Sequence, residues 1–535
     1  MLQCYVGINF TFVMVMVGRS GDRNAMVCTG IHTSVYSGSM QCFAYLFGSE
    51  RNEMEQQQSI EYVPLAPSLM EDSTSTRNTT ELILPPSVSW LHRSDIAPVV
   101  IVLPHILEKK LNYLQSIFHP FSLTTCTMSN YDDDRDIGFN TVQLHHGQVM
   151  DSDHRARAPP IYASTSFGFK NAEHGANLFA LKELGPIYTR IMNPTSHTLE
   201  YRIAKLEGST CQLDGAHPSA LACASGQGAQ FTAIFSICQA GDWVIAAGDL
   251  YGGTYAAFRH TFPSMGVNVK FINGQNLDEL KAAFEELGDK AKVCYFETIG
   301  NPSFNVPDFD GISTICKENN CPFVVDNTFG MCGYTCRPFK YGVNIITASC
   351  TKWIGGHGNT IGGIIVDNGT FDWSVKAKDG SSKFPLLNDD CAAYHGMNFN
   401  GVFGPTGPFG CNMAFIFRAR VCTLRDTGAC QNPFGSFQLL VGLETLSLRG
   451  KAHSENANAL AAWLKGNENV AWVSHLSLPE HKSHNNAKKY FREGCFGAVL
   501  SFGVKGGFEA AKKFIDGVKL ASHLANVGDA KTLVI

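Results

Sequence analysis

From about Phe139 onward, the sequence alternates between segments typical of buried strands and segments typical of helices. Such alternation favours an α/β fold, in which helices connect the strands of a mainly parallel sheet. The strand-like segments are apolar along their whole length, as expected when helices cover both faces of a sheet. We predict strands at 220–226, 242–249, 267–273, 291–298, 322–328, 344–350 and 362–368.

The best-defined helix lies between two of these strands. Asn276 is placed to cap its first turn, and Gly288 is placed to end it. Its apolar face at helical spacing consists of Leu277, Leu280, Phe284 and Leu287.

Beyond about residue 400 the pattern predicts a smaller α+β domain. A long helical stretch from Phe437 precedes a strand at 470–476, a helix around 485–491, a strand at 496–504 and a helix at 508–518. The whole chain is therefore expected to combine a large sheet domain with a second, smaller unit.

The first 127 residues lack any sustained helix or strand period. An apolar run lies near the start, and the first Lys or Arg of the chain, Arg19, comes only after it. A secretory signal peptide has basic residues ahead of its apolar run, so this order disfavours one. Residues 51–95 are polar and expected to be disordered, and a second apolar patch follows at 96–107. We assign 1–127 to no domain. They could be a targeting segment, a weak partner site or translated non-coding sequence; the last is favoured, with Met128 as the natural start.

Composition disfavours several classes of protein. Lys plus Arg number 42 against 47 for Asp plus Glu, so a net charge of −5 gives no basic field for nucleic acid. No apolar run reaches the ~20 residues that span a bilayer, so no membrane association is expected. The 18 cysteines are irregularly spaced, without a matching His set or a second CxxC. We therefore expect no metal site, and reduced thiols in a cytoplasmic protein.

Polar residues follow three of the predicted strands, at the edge where open α/β sheets bind ligands. The segment 225–228 (SGQG) opens a helix, whose free N–H groups suit an anion, although small residues also serve simply as turns. Asp326 ends a buried strand and needs a cationic or N–H partner. Lys352 follows another strand, where a lysine more often reaches along the surface than acts chemically.

Together these residues suit pyridoxal 5′-phosphate better than any of them does alone. The 225–228 segment would hold the phosphate, and Asp326 would pair with the pyridine N–H and keep the ring an electron sink. Lys352 would form the Schiff base with the aldehyde.

Long stretches of the chain resemble the Cys/Met-metabolism family of pyridoxal-phosphate enzymes and, within it, the O-acetylhomoserine sulfhydrylases. The resemblance covers about residues 139–535 in the family's order, and it implies the PLP-dependent transferase fold (fold type I) with pyridoxal 5′-phosphate as cofactor. The matching stretches are FNTVQLHHGQ, PIYASTSFGF, IYTRIMNPTSHTLE, LYGGTY, ETIGNPSFNVPD, VVDNTFG, TKWIGGHGNTIGGIIVD, GLETLSLR and LANVGDAKTLVI.

The resemblance also implies roles for individual residues. Lys352 matches the Schiff-base lysine that acts as acid and base, and Asp326 matches the partner of the pyridine nitrogen. Tyr251 matches the tyrosine that stacks on the ring and takes part in catalysis. The other implied cofactor-binding residues are Gly226, Gln227, Ser349, Thr351 and Thr328, with Tyr188 and Arg190 reaching the phosphate in a neighbouring subunit. The implied substrate-binding residues are Asn301 and Asn526.

The implied reaction is a γ-replacement that converts O-acetylhomoserine and sulfide, or a thiol, into homocysteine and acetate. A cystathionine γ-synthase, a γ-lyase and a PLP-binding pseudoenzyme with little turnover remain alternatives. The sequence stops at Ile535, before the arginine with which the family binds the substrate carboxylate, so we expect a truncated C-terminal domain and poor turnover.

The resemblance divides the chain into three parts after residue 127. Residues 128–200 would form an N-terminal arm that reaches the neighbouring subunit of a homodimer or homotetramer. Residues 201–400 would form the PLP-binding domain, and 401–535 an incomplete C-terminal domain. The stretches 209–219 and 401–411 depart from the family's pattern and could be insertions.

Overall fold

The computed structural model describes residues 138–150, 153–211, 219–407 and 411–535, together with three strands near the start of the chain. The chain divides into two compact units, Met1–Cys126 and Thr127–Ile535. No helix in the described part of the chain is long and apolar enough to cross a membrane.

The first unit contains a three-stranded antiparallel sheet of β1 (Met14–Met16), β2 (Cys28–Tyr36) and β3 (Ser39–Phe47). No strand was predicted here. β2 contains Thr, Ile, Val and Tyr, residue types that favour strands, and the pairing partner follows after only two residues. The expectation of disorder at 51–95 lies outside the described residues.

The second unit is built on a seven-stranded sheet that confirms the predicted α/β class. The strand order is β4-β10-β9-β8-β7-β5-β6, in which β10 runs antiparallel to both neighbours and the strands from β9 to β6 are parallel. The strands are β4 (Ala220–Cys223), β5 (Trp243–Ala247), β6 (Asn268–Ile272), β7 (Ala291–Glu297), β8 (Phe323–Asp326), β9 (Ile345–Ser349) and β10 (Gly363–Asp367).

Helices connect and cover these strands. The described α-helices of the second unit are α1 (Phe139–His145), α2 (Ala172–Phe179), α3 (Pro194–Glu207), α4 (Gly226–Phe235), α5 (Gly252–Ala256), α6 (Phe262–Ser264), α7 (Leu277–Leu287), α8 (Phe309–Glu318), α9 (Pro385–Asn388), α10 (Phe399–Phe403), α11 (Ala414–Arg418), α12 (Arg425–Thr427), α13 (Pro433–Leu443), α14 (Leu446–Lys465), α15 (His484–Tyr490) and α16 (Gly507–Gly517).

The core lies around the central sheet. Every residue of β4, β7 and β10 is buried, as the continuous apolar runs predicted. Helix α3 shows how local sequence sets an element's bounds. The Asn193 side chain accepts the N–H of Thr195, Pro194 occupies the first helical position, and Gly208 ends the helix with φ of 86°.

The predicted strands and helices after residue 400 are present. β11 (Val470–Ser474) pairs antiparallel with β12 (Ser501–Val504), and a short parallel pair joins β13 (Ser522–His523) to β14 (Leu533–Val534). The cysteines that the structure describes carry free thiols, and its described residues contain no group of His, Cys, Asp and Glu that could hold a metal ion.

Candidate functional site

Helix α4 begins directly after β4 and presents its N-terminus at the carboxyl edge of the sheet. The Ser225 hydroxyl accepts the N–H of Gly228 at 3.0 Å and so caps the helix. The first N–H groups of a helix have no partner within it, which leaves those of Gly226 and Gln227 to meet an anion. The 225–228 segment therefore has the backbone geometry of a phosphate cradle.

This cradle lies against the end of β9. A Cβ at Gly226 would lie only 2.7 Å from the Cβ of Ser349, so the close approach requires glycine at this position. The Thr328 hydroxyl oxygen accepts the N–H of Ser349 at 2.8 Å and ties the two strand ends together. The structure thus brings Gly226, Ser349 and Thr328 together, as the sequence predicts.

Asp326 ends the neighbouring strand, β8. Its Oδ1 accepts the N–H of Thr328 at 2.8 Å, and burial raises the pKa of its carboxyl above the usual range while the Thr328 hydrogen bonds lower it in part. Within the described part of the chain, no Lys, Arg or His forms an ion pair with Asp326. A buried carboxyl of this kind is suited to pair with a cation that the chain itself does not supply.

Lys352 lies in the turn that follows β9. Its Nζ donates to Oδ1 of Asn526 at 2.8 Å, and burial lowers the pKa of the amine. The Arg449 guanidinium donates to the carbonyl oxygens of Trp353 at 2.7 Å and Gly442 at 2.6 Å, which fixes the backbone just after the lysine. Arg449 thus supports the Lys352 turn through its backbone.

The segment around Asn526 packs directly on the Lys352 turn. A Cβ at Gly528 would lie 2.7 Å from the backbone nitrogen of Trp353, and the Ala530 N–H donates to the Gly356 carbonyl at 2.8 Å. This packing holds the amide of Asn526 against the amine of Lys352.

Tyr251 lies at the start of α5, and 51% of its surface is exposed. A Cβ at Gly253 would meet Tyr251 Cε1 at 2.6 Å and Gln227 Nε2 at 2.8 Å, so the tyrosine lies beside the 225–228 cradle. An exposed aromatic face next to an anion cradle is suited to stack on a planar ligand.

Three other predicted site residues, Thr351, Tyr188 and Arg190, make contacts outside the group formed by the cradle, Asp326 and Lys352. The Thr351 hydroxyl donates to the Gly362 carbonyl at 3.2 Å and accepts the Gly362 N–H at 3.1 Å, so backbone groups occupy it. The Arg190 guanidinium lies over the Tyr188 ring at 5.6 Å and donates to the Arg425 carbonyl. Among the described residues, no hydrogen bond joins Tyr188 or Arg190 to Lys352 or to Asp326.

One buried carboxyl at this edge was missed. Glu297 ends β7, pairs in register with Asp326 and accepts the backbone N–H of Tyr251 at 2.7 Å, while the backbone N–H of Asn301 faces its carboxyl. The rule that singled out Asp326, a carboxylate at the end of a buried strand, applies equally to Glu297 in the stretch 291–298.

The arrangement fits pyridoxal phosphate on its own chemistry. The cradle N–H groups and the Ser349 hydroxyl suit a phosphate, and the unpaired buried carboxyl of Asp326 suits a protonated pyridine nitrogen. Lys352 offers an amine whose lowered pKa favours the free, nucleophilic form.

Comparisons with known proteins agree with this arrangement. The family model for Cys/Met metabolism PLP-dependent enzymes matches residues 140–535. A homocysteine/cysteine synthase of Saccharomyces cerevisiae is 49% identical over 409 residues, which cover 74% of this chain and 87% of the relative. An O-acetyl-L-homoserine sulfhydrylase of Thermus thermophilus is 46% identical over 397 residues, covering 74% of this chain and 89% of the relative.

A solved structure gives the same result for the fold and the cofactor. It is that of a protein assigned as an O-acetylhomoserine (thiol)-lyase from Campylobacter jejuni, determined with a pyridoxyl-lysine phosphate in place of a lysine. The TM-score is 0.67 at 30% identity, and the match covers 75% of this chain and 93% of that one. The predicted fold class and cofactor are confirmed, and the chain belongs to the Cys/Met-metabolism family of PLP-dependent enzymes.

Proposed function

We propose that this chain catalyses a γ-replacement in which O-acetylhomoserine and sulfide, or a thiol, give homocysteine and acetate. The observation that carries the proposal is the partly buried amine of Lys352, with its lowered pKa, at the edge that also carries Asp326. The activities that name the yeast and Thermus relatives support this choice of reaction within the family.

The residues that would hold the cofactor follow from the site. The N–H groups of Gly226 and Gln227 and the Ser349 hydroxyl would bind its phosphate, and Asp326 would pair with the pyridine nitrogen. Thr328 and Thr351 would support this edge through their hydrogen bonds to Ser349 and Gly362. Pyridoxal phosphate, when bound, supplies the electron sink that makes the α-proton of an amino acid acidic.

Lys352 would move the protons of the reaction. Its Nζ would take the proton from the substrate α-carbon and then a proton from the β-carbon as the bond from the γ-carbon to acetate breaks. After sulfur has bonded to the γ-carbon, Nζ would return protons to the β- and α-carbons. A free amine is needed for this, and burial of Lys352 favours it. Asn526 directs the amine through its Oδ1, Tyr251 stacks on the cofactor ring, and Asn301 lies on the substrate side.

We also propose a homodimer or homotetramer in which residues 128–200 form an arm to the neighbouring subunit. The exposed pair of Tyr188 and Arg190 supports this proposal, since Arg190 forms no ion pair with an Asp or Glu in the part of the chain that the structure describes. Residues 201–400 would form the PLP-binding domain and 401–535 the C-terminal domain. Mixing the inactive variants Arg190→Ala and Lys352→Ala should restore part of the activity if sites are shared; light scattering would give the oligomer size.

A cytoplasmic location is proposed from the free thiols, and cell fractionation would test it.

The reaction itself is tested with purified, PLP-loaded protein. Homocysteine and acetate should form in equal amounts from O-acetylhomoserine and sulfide, and Lys352→Ala should abolish both. Release of a 2-oxo acid from cystathionine would instead indicate a lyase, and product only with cysteine as the thiol would indicate a cystathionine γ-synthase. Cofactor binding without any of these products would contradict the proposed reaction.

A further inference from the structure

Glu297 is a buried carboxyl at the centre of the site edge for which the proposed reaction has no use. It ends β7, and in the strand register it lies directly opposite Asp326 of β8. Its side chain is buried, with 7% of the residue's surface exposed. A charged or polar group in such a place costs stability unless its bonds are satisfied, so its partners indicate what it does.

The partners of Glu297 are the backbones of two site loops. The N–H of Tyr251, in the loop after β5, donates to Oε1 at 2.7 Å. The N–H of Asn301, in the loop after β7, also faces this carboxyl. One side chain thus joins the two loops whose side chains are proposed to contact the cofactor ring and the substrate.

Two acidic side chains face Glu297. Asp326 lies on the adjacent strand β8, and Asp249 follows β5. No Lys, Arg or His forms an ion pair with Glu297 in the described part of the chain. Burial first, then Asp326, raises the pKa of Glu297 well above its usual range, while the two backbone N–H groups lower it in part.

The two neighbouring carboxyls therefore differ in what they can do. Carboxyls in adjacent register positions resist ionising together. Glu297 lies deeper and faces both Asp326 and Asp249, whereas Asp326 is at the edge where a pyridine nitrogen would bind. Asp326 is therefore the carboxyl at the cofactor edge, and Glu297 the one that contacts the site loops.

We propose that Glu297 is a positioning residue, which holds the backbones of the Tyr251 and Asn301 loops at the cofactor edge, beside Asp326. This role rests on the proposed functions of Tyr251 and Asn301. The side-chain oxygen of a glutamine lies at the same distance from the backbone and can accept the same Tyr251 N–H, so glutamine should replace glutamate here and shorter side chains should not.

The test compares Glu297→Gln with Glu297→Ala, using Glu285→Gln and Glu285→Ala on the exposed face of α7 as matched controls. Each apoprotein is titrated with pyridoxal phosphate, and the circular dichroism of the bound cofactor reports how the ring is held. We expect Glu297→Gln and both controls to keep the wild-type Kd within about threefold. Glu297→Ala should raise the Kd by about tenfold or more, as expected for losing buried hydrogen bonds, and should weaken the visible dichroism.

Kinetics separate positioning from a purely structural role. Displacement of Asn301 in Glu297→Ala should raise KM for the amino-acid substrate more than it lowers kcat. If Glu297→Ala does not fold, Glu297→Asp serves instead, because it withdraws the carboxyl by one methylene and should show the same weakened cofactor binding. Wild-type Kd and dichroism in the shortened variant would overturn the proposal, and so would equal losses in Glu297→Gln and Glu297→Ala. The cofactor titration needs no turnover, so failure of the proposed γ-replacement would show separately, in the product assay.

Discussion

At the scale of single residues, the amine of Lys352 offers the most direct chemical test of the site. We predict that borohydride reduction of the PLP-loaded protein attaches the cofactor to Lys352, and that Lys352→Ala removes this attachment and turnover while the fold persists. The turn that carries the lysine is held by Arg449 and Asn526, and an alanine there removes only a partly buried side chain. Mass mapping of the digested protein measures the attachment.

The same digest contains its own control. Lys383 is also buried with a lowered pKa, but its Nζ donates to the Asn319 carbonyl at 2.8 Å, near the amino end of β8. Its peptide should stay unmodified, because a lowered pKa alone does not bring a lysine to the cofactor. Cofactor found on Lys383, or retained covalently by Lys352→Ala, would contradict the assignment.

A second residue-scale prediction concerns Glu207, at the end of α3. Burial raises the pKa of this carboxyl to about 8, although the Asn327 side chain donates to Oε2 at 2.8 Å. Between about pH 4.5 and 8 the folded state keeps a proton that the unfolded state releases, so the free energy of unfolding falls as pH rises through this window. Glu207→Gln cannot ionise and should remove this fall.

Denaturant unfolding at several pH values measures the effect. Wild type and Glu207→Gln should be closest in stability below pH 4.5, and the wild type should lose relative stability up to about pH 8 and then level off. The exposed Glu285→Gln serves as the control and should follow the wild type. Parallel curves for wild type and Glu207→Gln would mean that Glu207 is ionised in the folded protein.

At the scale of elements, the contact between α4 and β9 can be tested with one methyl group. Gly226→Ala places a Cβ 2.7 Å from the Cβ of Ser349, so the helix end must move away from the strand end. We predict at least a tenfold loss of pyridoxal phosphate affinity, since the cradle N–H groups no longer face the Ser349 hydroxyl. Gly517→Ala, where an added methyl meets nothing within 4 Å, should bind as the wild type. Equal affinities in a titration would show that the cradle tolerates the shift.

Elements with strong local signals were predictable from the sequence. Helix α7 begins after Asn276, whose side chain accepts the N–H groups of Asp278 and Glu279, and ends before Gly288 as the pattern indicated. The reversed direction of β10 was not predictable, because an apolar run carries no information on direction. The π-helical turn at Ala257–Thr261, which lies between α5 and α6, likewise depends on packing rather than on local propensity.

At the scale of the whole molecule, the sequence predicted which residues lie at strand ends, but it did not predict which distant segments contact one another. Asp326 and Ser349 were predictable at the site because parallel strands end at one edge. The hydrogen bond between Lys352 and Asn526 joins residues that are 174 positions apart in the sequence. The burial of Glu297 beside two loops depends on the completed sheet. Such contacts follow from tertiary packing, and only the resemblance to a known family indicated Asn526 beforehand.

The final prediction is that the second unit folds and binds cofactor without the first. Thr127–Ile535 contains the entire seven-stranded sheet and all the residues proposed for the site, so we expect its core to remain intact when residues 1–127 are removed. Limited proteolysis of the PLP-loaded chain should leave a stable fragment that begins between 127 and 139, as mass spectrometry can show. Its Kd for pyridoxal phosphate and its melting temperature should match those of the undigested chain. Mock-treated protein without protease is the control. A trimmed fragment that aggregates or releases its cofactor would show that residues 1–127 contribute to the fold.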